Sequence, residues 1–224
     1  MRAWDRLKRS LRKRALFRKF GERWNTEDGE FQKRSYASYE SYLEHQKAKL
    51  ETHDFGNYDT EFRNALRDRL NALGIDWPGR NVLCLGARIG TEVKAFLDLG
   101  ADAIGIDLNP GENNQYVVYG DFHDLQFSSG SLNVVYTNSL DHAFDIDRIA
   151  KEVLRVLKRD GIFILEAVHG RDQGIKPGFF ESFFWKNIDE LVRMFESAGF
   201  IVVGRRPVTR PWPGEQICFR GPFA

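Results

Sequence analysis

The 224-residue chain is long enough for one large α/β domain, or for a domain with an appendage. Its 42% apolar content, with 18 Phe and 5 Trp, can build a sizeable core, and no run approaches the roughly 18 consecutive apolar residues of a membrane span. The net charge of +1 hides an asymmetry: residues 1–24 carry ten Lys or Arg against two acids, which leaves the remainder acidic.

In that arm Trp4, Leu7, Leu11 and Ala15 recur at helical spacing among the cations, as in a basic amphipathic helix. Leu16, Phe17, Phe20 and Trp24 fall on the opposite face, so one regular helix cannot bury both sets. The arm either packs on the domain or contacts a membrane surface or another polyanion. No apolar signal segment is visible, and Cys84 and Cys218 lie in strand-like apolar runs. The expected setting is the cytoplasm, with peripheral membrane contact left to the arm.

Residues 25–60 read as a helical extension, polar and aromatic, with one or two short helices between 31 and 58. Tyr39, Tyr42, His45 and Lys49 share helical spacing and face either a cleft or the core. Residues 61–224 have a regular rhythm. Phe62, Leu66, Leu70 and Leu73 mark a helix ended by Gly74. A strand at 82–86, a helix from Thr91 to Leu99 and a strand at 103–107 follow. Further strands are YVVYGD and LNVVYTNS, and the stripe Ile146, Ile149, Ala150, Val153, Leu154 and Leu157 is helical. RDG turns into the strand GIFILEAV. A helix through Ile188, Leu191, Val192 and Phe195 precedes two closing strands, FIVVG and EQICFR. Continuously apolar strands alternating with amphipathic helices predict an α/β, doubly wound, mostly parallel sheet. The last two strands lack an intervening helix, so the final one is expected to run antiparallel.

The loop CLGARIGTEV, residues 84–93, joins the first of these strands to its helix. It lacks the Gly-Lys pair of a phosphate-binding P-loop. Aligned to a dinucleotide fingerprint, it puts Arg88 and Thr91 where glycines belong. The next strand ends in Asp107, whose carboxylate can accept from both hydroxyls of an unphosphorylated ribose. Gly120 and Asp121 end the third strand, where an acid can accept from an adenine amino group while Phe122 or Leu108 packs on the ring. An adenosine site without a pyrophosphate clamp points to S-adenosylmethionine rather than NAD.

VLCLGARIGTEVKAFLDLGADAIGIDLNPG, GDFHDLQFSSGSLNVVYTNSLDHAFD and EVLRVLKRDGIFIL together resemble a class I S-adenosylmethionine-dependent methyltransferase. The small-substrate branch typified by the methyltransferase type 11 family is the one they are similar to, over about residues 75–170. The resemblance implies a seven-stranded Rossmann-like sheet with one antiparallel strand, and S-adenosyl-L-methionine as cofactor. By position it puts Gly86, Ala87, Arg88 and Gly90 at the methionine end. Asp107 would hold the ribose hydroxyls, with Leu108 beside the adenine. Asp121 and Phe122 would meet the adenine by side chain and backbone, and Asn138 would sit near the reacting methyl. The family usually has an acid where this chain has Cys84, and a glycine where it has Arg88. Anchoring of the cofactor's amino group is therefore unassigned, and Arg88 either meets its carboxylate or points to solvent.

Methyl transfer asks for alignment and sometimes a base. Candidate bases are Asp141 and His142 in NSLDHAFD, although a loop His can equally cap a carbonyl or shape the pocket. Asp141, His142 and Asp145 lack an established metal-site spacing, so no metal is expected. Residues 170–185 should cover the acceptor, with Phe179, Phe180, Phe183, Phe184 and Trp185 forming an acceptor wall or pinning the next helix. No N-P-P-Y-like signature follows the fourth strand, which favours oxygen of a small-molecule or glycan acceptor. The alternatives are a nucleic-acid methyltransferase guided by the arm, against which the acidic body argues, and a non-catalytic interaction module with a degenerate cofactor site.

Overall fold

The computed structural model describes residues 2–21, 24–25, 31–49 and 57–222. Helix α1 (Arg2–Phe20) is followed by the short strands β1 (Trp24–Asn25) and β2 (Phe31–Arg34) and by helix α2 (Tyr39–Lys47). Among its described side chains, α1 is packed at its C-terminal end. Leu16 and Phe20 join Ala48 and Phe180 in a small cluster, and Lys19 pairs with Glu44. Trp4, Leu7 and Leu11 are 63%, 49% and 56% exposed, and Phe17 is also exposed. Of the two apolar faces read from the sequence, then, only part of the second is buried.

The extension is not wholly helical. β2 pairs antiparallel with β1 and with β8 (Phe183–Trp185), making a three-stranded sheet beside the main one. Phe31 lies on Phe183 with ring centroids 4.9 Å apart. Buried Arg34 donates to the carbonyls of Phe20, Gly178 and Glu181 at 2.7, 3.1 and 2.8 Å. One guanidinium thus satisfies three backbone acceptors from segments far apart in sequence. Helix α3 (Tyr58–Asn71) begins ahead of residue 61 and buries Phe62, Leu66 and Leu70.

The main sheet contains β3 (Asn81–Leu85), β4 (Asp102–Asp107), β5 (Val117–Tyr119), β6 (Leu132–Thr137), β7 (Leu157–Val168), β9 (Ile201–Val208) and β10 (Gly214–Arg220), interleaved with α4 (Thr91–Leu97), α5 (Ile146–Val156) and α6 (Ile188–Ser197). Its order is β5-β4-β3-β6-β7-β10-β9, with β10 antiparallel to both neighbours and the other pairs parallel. Side chains alternate between faces along each strand. Leu83, Leu85, Phe163 and Leu165 pack under α5 and α6. Val82, Cys84, Val134, Tyr136 and Ile164 pack under α3 and α4. Two helical layers on one sheet explain why its central strands, β3 and β6, are apolar on both faces.

One predicted turn is absent. α5 runs directly into β7, and residues 159–161 lie inside that strand, where the register against β6 jumps from Leu132–Leu157 to Val134–Ile162. The RDG residues are taken up as an irregularity in the strand because pairing resumes on both sides. Among the described residues no helix is long and apolar enough to cross a membrane.

Candidate active site

The chain switches direction across the sheet between β3 and β6, and the loops after these two strands diverge to form a crevice. Gly86 stands where they touch. Its φ is 67°, and a Cβ there would lie 2.8 Å from the Cβ of Ser139. Arg88, at the position where the resembling family has glycine, keeps a left-handed conformation with φ 46°. The loop shape therefore survives the substitution at modest strain. Asp107 is locked from two sides: Oδ2 accepts from Arg88 N–H at 3.0 Å and Oδ1 from Asn109 N–H at 2.8 Å. Burial raises its pKa against the pull of those bonds.

The crevice has two compartments. The inner one, of only about 40 Å³, is lined by Asp107, Leu108 and Phe122, with Tyr42 and Gln46 of α2 among its walls. The outer one, of about 390 Å³, is lined by Ala87, Glu92, Asn138, Asp141 and Glu181, with Tyr58 and Trp212. Gly86, Arg88, Lys49, Ser139 and His142 border both. The tertiary structure therefore gathers Gly86, Ala87, Arg88, Asp107, Leu108, Phe122, Asn138, Asp141 and His142 at one crevice. Gly90 is set behind it, with φ 79° and its α-carbon against Tyr116.

Asp121, like Gly90, lines neither compartment. Its carboxylate is taken up internally. Oδ1 accepts from His123 N–H at 2.9 Å and from His123 Nδ1 at 2.7 Å, and Oδ2 accepts from the Tyr39 hydroxyl. His123 Nε2 accepts from the amides of Phe144 and Asp145 at 3.2 and 3.1 Å. That leaves Nδ1 as the protonated nitrogen. Burial would raise the Asp121 carboxyl, but the His123 and Tyr39 bonds outweigh it and hold its pKa below the ordinary range. The Asp121 side chain is thus part of a bolt joining α2, β5 and the loop before α5. The same helix is fastened by Asn109 Nδ2, which donates to Lys47 O at 2.8 Å.

At the outer compartment, Leu140–His142 form a short 3-10 turn. His142 Nδ1 lies 2.9 Å from the carbonyl of Phe180, which can only accept, so Nδ1 carries the proton and Nε2 is the acceptor. Lys49 Nζ donates to that Nε2. Asp141 Oδ1 lies 3.6 Å from the same nitrogen. Burial pushes Lys49 down, helped by Arg88 and opposed by Asp141 and Glu181. Burial also pushes Asp141 up, with Glu181 adding to it, and keeps His142 neutral. Asp141, His142 and Glu181 have the ligand types of a cation site, with donor atoms within 4.8 Å of one another. In this chain the Lys49 nitrogen already engages the imidazole that a metal would need. Asp145 stands apart and caps α5, accepting from Arg148 N–H at 3.1 Å.

The sequence reading left Lys49 between cleft and core; the structure puts it in the cleft, and gives His45 to the core, stacked between Phe20 and Phe180. Phe179, Phe180, Phe183, Phe184 and Trp185 line neither compartment and pin α1 and β2 instead. Glu92 was missed altogether. It is 5% exposed, and Asn138 Nδ2 donates to its Oε1 at 3.1 Å. The available signal was an acid on the same helical face as Ala95 and Phe96, where apolar residues belong.

These groups suit S-adenosylmethionine. Asp107 offers a carboxylate with its orientation fixed, Leu108 and Phe122 offer apolar walls for a ring, and Glu92 and Arg88 bring opposite charges to the outer compartment. Residues 83–165 match the family model described as a methyltransferase domain. No sequence among the curated proteins matches the chain. Among solved structures it is similar to the Burkholderia thailandensis 1,6-didemethyltoxoflavin-N1-methyltransferase with bound 1,6-didemethyltoxoflavin and S-adenosylhomocysteine. That TM-score is 0.65 at 17% identity, covering 89% of this chain and 99% of that one. An S-adenosylmethionine-dependent methyltransferase from Mesorhizobium loti gives 0.55 at 15% identity, covering 70% and 97%. A glycopeptide N-methyltransferase gives 0.57 at 15%, covering 71% and 90%. At these identities the structural likeness speaks for the fold, and the family match with the crevice chemistry speaks for the activity: residues 83–165 carry a methyltransferase domain, in a fold shared with S-adenosylmethionine-dependent methyltransferases.

Proposed function

We propose that the enzyme methylates a hydroxyl oxygen of a small-molecule or glycan acceptor, and that Lys49 takes the proton which that oxygen loses. The observation that carries this reading is the Lys49–His142 hydrogen bond in the wall of a compartment of about 390 Å³. The cofactor, when bound, supplies an electrophilic methyl group. The chain's task is to hold the acceptor, exclude water and accept a proton. A neutral Lys49 amine can donate one N–H to His142 Nε2 and keep its lone pair for the acceptor hydroxyl. The ammonium that results has Asp141 and Glu181 close by to stabilise it. His142 orients the amine, and the Phe180 carbonyl fixes the tautomer that lets it do so.

Transfer of a 13C-labelled methyl group to a panel of phenols, sugars and amines tests the acceptor atom. An O-methyl carbon resonance supports the reading and an N-methyl resonance overturns it. The nitrogen outcome is a definite alternative, since two of the three named neighbours are N-methyltransferases by description.

The arm supports a second element of this reading, peripheral contact with an anionic membrane surface. Exposed Trp4, Leu7 and Leu11 recur along α1 among basic residues, and the packed end of the helix lies on Phe180, next to the acceptor compartment. Flotation with vesicles of anionic and of zwitterionic lipid tests it. Steeply salt-dependent RNA binding without vesicle binding would favour the nucleic-acid alternative instead.

A further inference from the structure

One buried acid at the crevice has no part in handling the acceptor proton. Glu92 lies in the first turn of α4 and lines the outer compartment beside Gly86, Ala87 and Arg88. Among the described residues its carboxylate accepts one side-chain hydrogen bond, from Asn138, and forms no ion pair. Burying a carboxylate with so little compensation is costly, and it calls for a cation. Burial raises its pKa to about 7, and the hydrogen bond from its own backbone N–H, the field of Arg88 and the Asn138 bond offset only part of that. The other two acids of the compartment, Asp141 and Glu181, already feel Lys49.

The amino-acid end of S-adenosylmethionine carries an ammonium and a carboxylate on one carbon. We propose that Glu92 receives that ammonium while Arg88, from the preceding loop, meets the carboxylate. An acid on α4 then does the work for which residue 84 is chemically unsuited. Cys84 is fully buried in the apolar layer beneath α4, and its thiol is pushed up by burial and further by the charge of Glu92. The inference rests on the cofactor assignment made above.

Calorimetric titration of the full chain with S-adenosylhomocysteine, and with its analogue lacking the α-amino group, separates the two ideas. Glu92→Gln is expected to weaken the parent ligand about 30-fold, the effect of a charge-assisted bond, and to leave the deamino analogue unchanged. Asp107→Ala should weaken both ligands alike. In buffers of different ionisation enthalpy at pH 7, binding to the wild type should release a proton that the Glu92→Gln variant does not release. An unchanged affinity of Glu92→Gln for the parent ligand, or an equal loss for both ligands, overturns the role of Glu92. If the wild type binds neither ligand, the cofactor assignment falls, and this inference with it.

Discussion

Lys49 Nζ and His142 Nε2, 93 residues apart in sequence, share a hydrogen bond whose direction is dictated by a third group, the Phe180 carbonyl on Nδ1. Because burial lowers the Lys49 pKa, the amine is the reactive form and the rate should rise with pH as Lys49 loses its proton. Lys49→Met is expected to lower kcat by about 10²–10⁴-fold. It should flatten the ascending limb of the pH profile and leave S-adenosylhomocysteine affinity near that of the wild type. A steady-state pH series on both proteins checks this, and an unaltered limb in the variant would assign the base elsewhere.

Glu92 also predicts a pH-dependent stability of the ligand-free protein. Its folded pKa is raised to about 7, whereas an unfolded glutamate titrates in the ordinary carboxyl range. Between those values the folded state holds a proton that the unfolded state lacks, so stability is lost as pH rises through the window. Glu92→Gln removes that loss. At pH 8 the variant should be more stable by about 3 kcal/mol, or roughly 10 °C in Tm, with the difference vanishing near pH 4. Scanning calorimetry at the two pH values reads the difference directly.

The inner compartment, of about 40 Å³, leaves little room for an adenosine, and Tyr42 and Gln46 of α2 form part of its wall, so outward movement of α2 would widen it. Tyr39 holds α2 to Asp121 and also lies 2.9 Å from His123 Nδ1. Tyr39→Phe should speed S-adenosylhomocysteine association several-fold in stopped-flow fluorescence, because a bond to a charged group is worth about 1.5–3 kcal/mol. An unchanged association rate would show that opening does not involve this helix.

For the arm, Leu7→Glu with Leu11→Glu should abolish flotation with anionic vesicles and leave Tm within a degree or so. Both side chains are already about half exposed in the folded protein and lie outside its apolar clusters. Persistence of flotation would remove the arm from membrane contact, and a large drop in Tm would show that it is packed.

How much was legible in the sequence varied with the kind of interaction. The strands β3, β6 and the second half of β7 could be read because each buries both faces, leaving a continuous apolar run between helical stripes. Asp107 could be placed because its role depends only on standing at the carboxyl end of β4 beside the Gly86 loop. The small β1–β2–β8 sheet could not, since FQKR has no strand signature and takes that form only by pairing with Phe183–Trp185. Asp121 looked equivalent to Asp107. Nothing local announced that Tyr39 and His123 would claim both of its oxygens.

The sequence alone determined the layered parallel sheet, its antiparallel closing strand and the crevice beside Gly86, because apolar periodicity and glycine placement act locally and repeat along the chain. Only the tertiary structure decided which polar side chains work in that crevice. Lys49 reaches His142, Glu92 turns inward under Asn138, and Asp121 is withdrawn into a bolt. Each outcome depends on burial and on a partner distant in the chain, since the environment a carboxylate or amine meets is set by what folds over it.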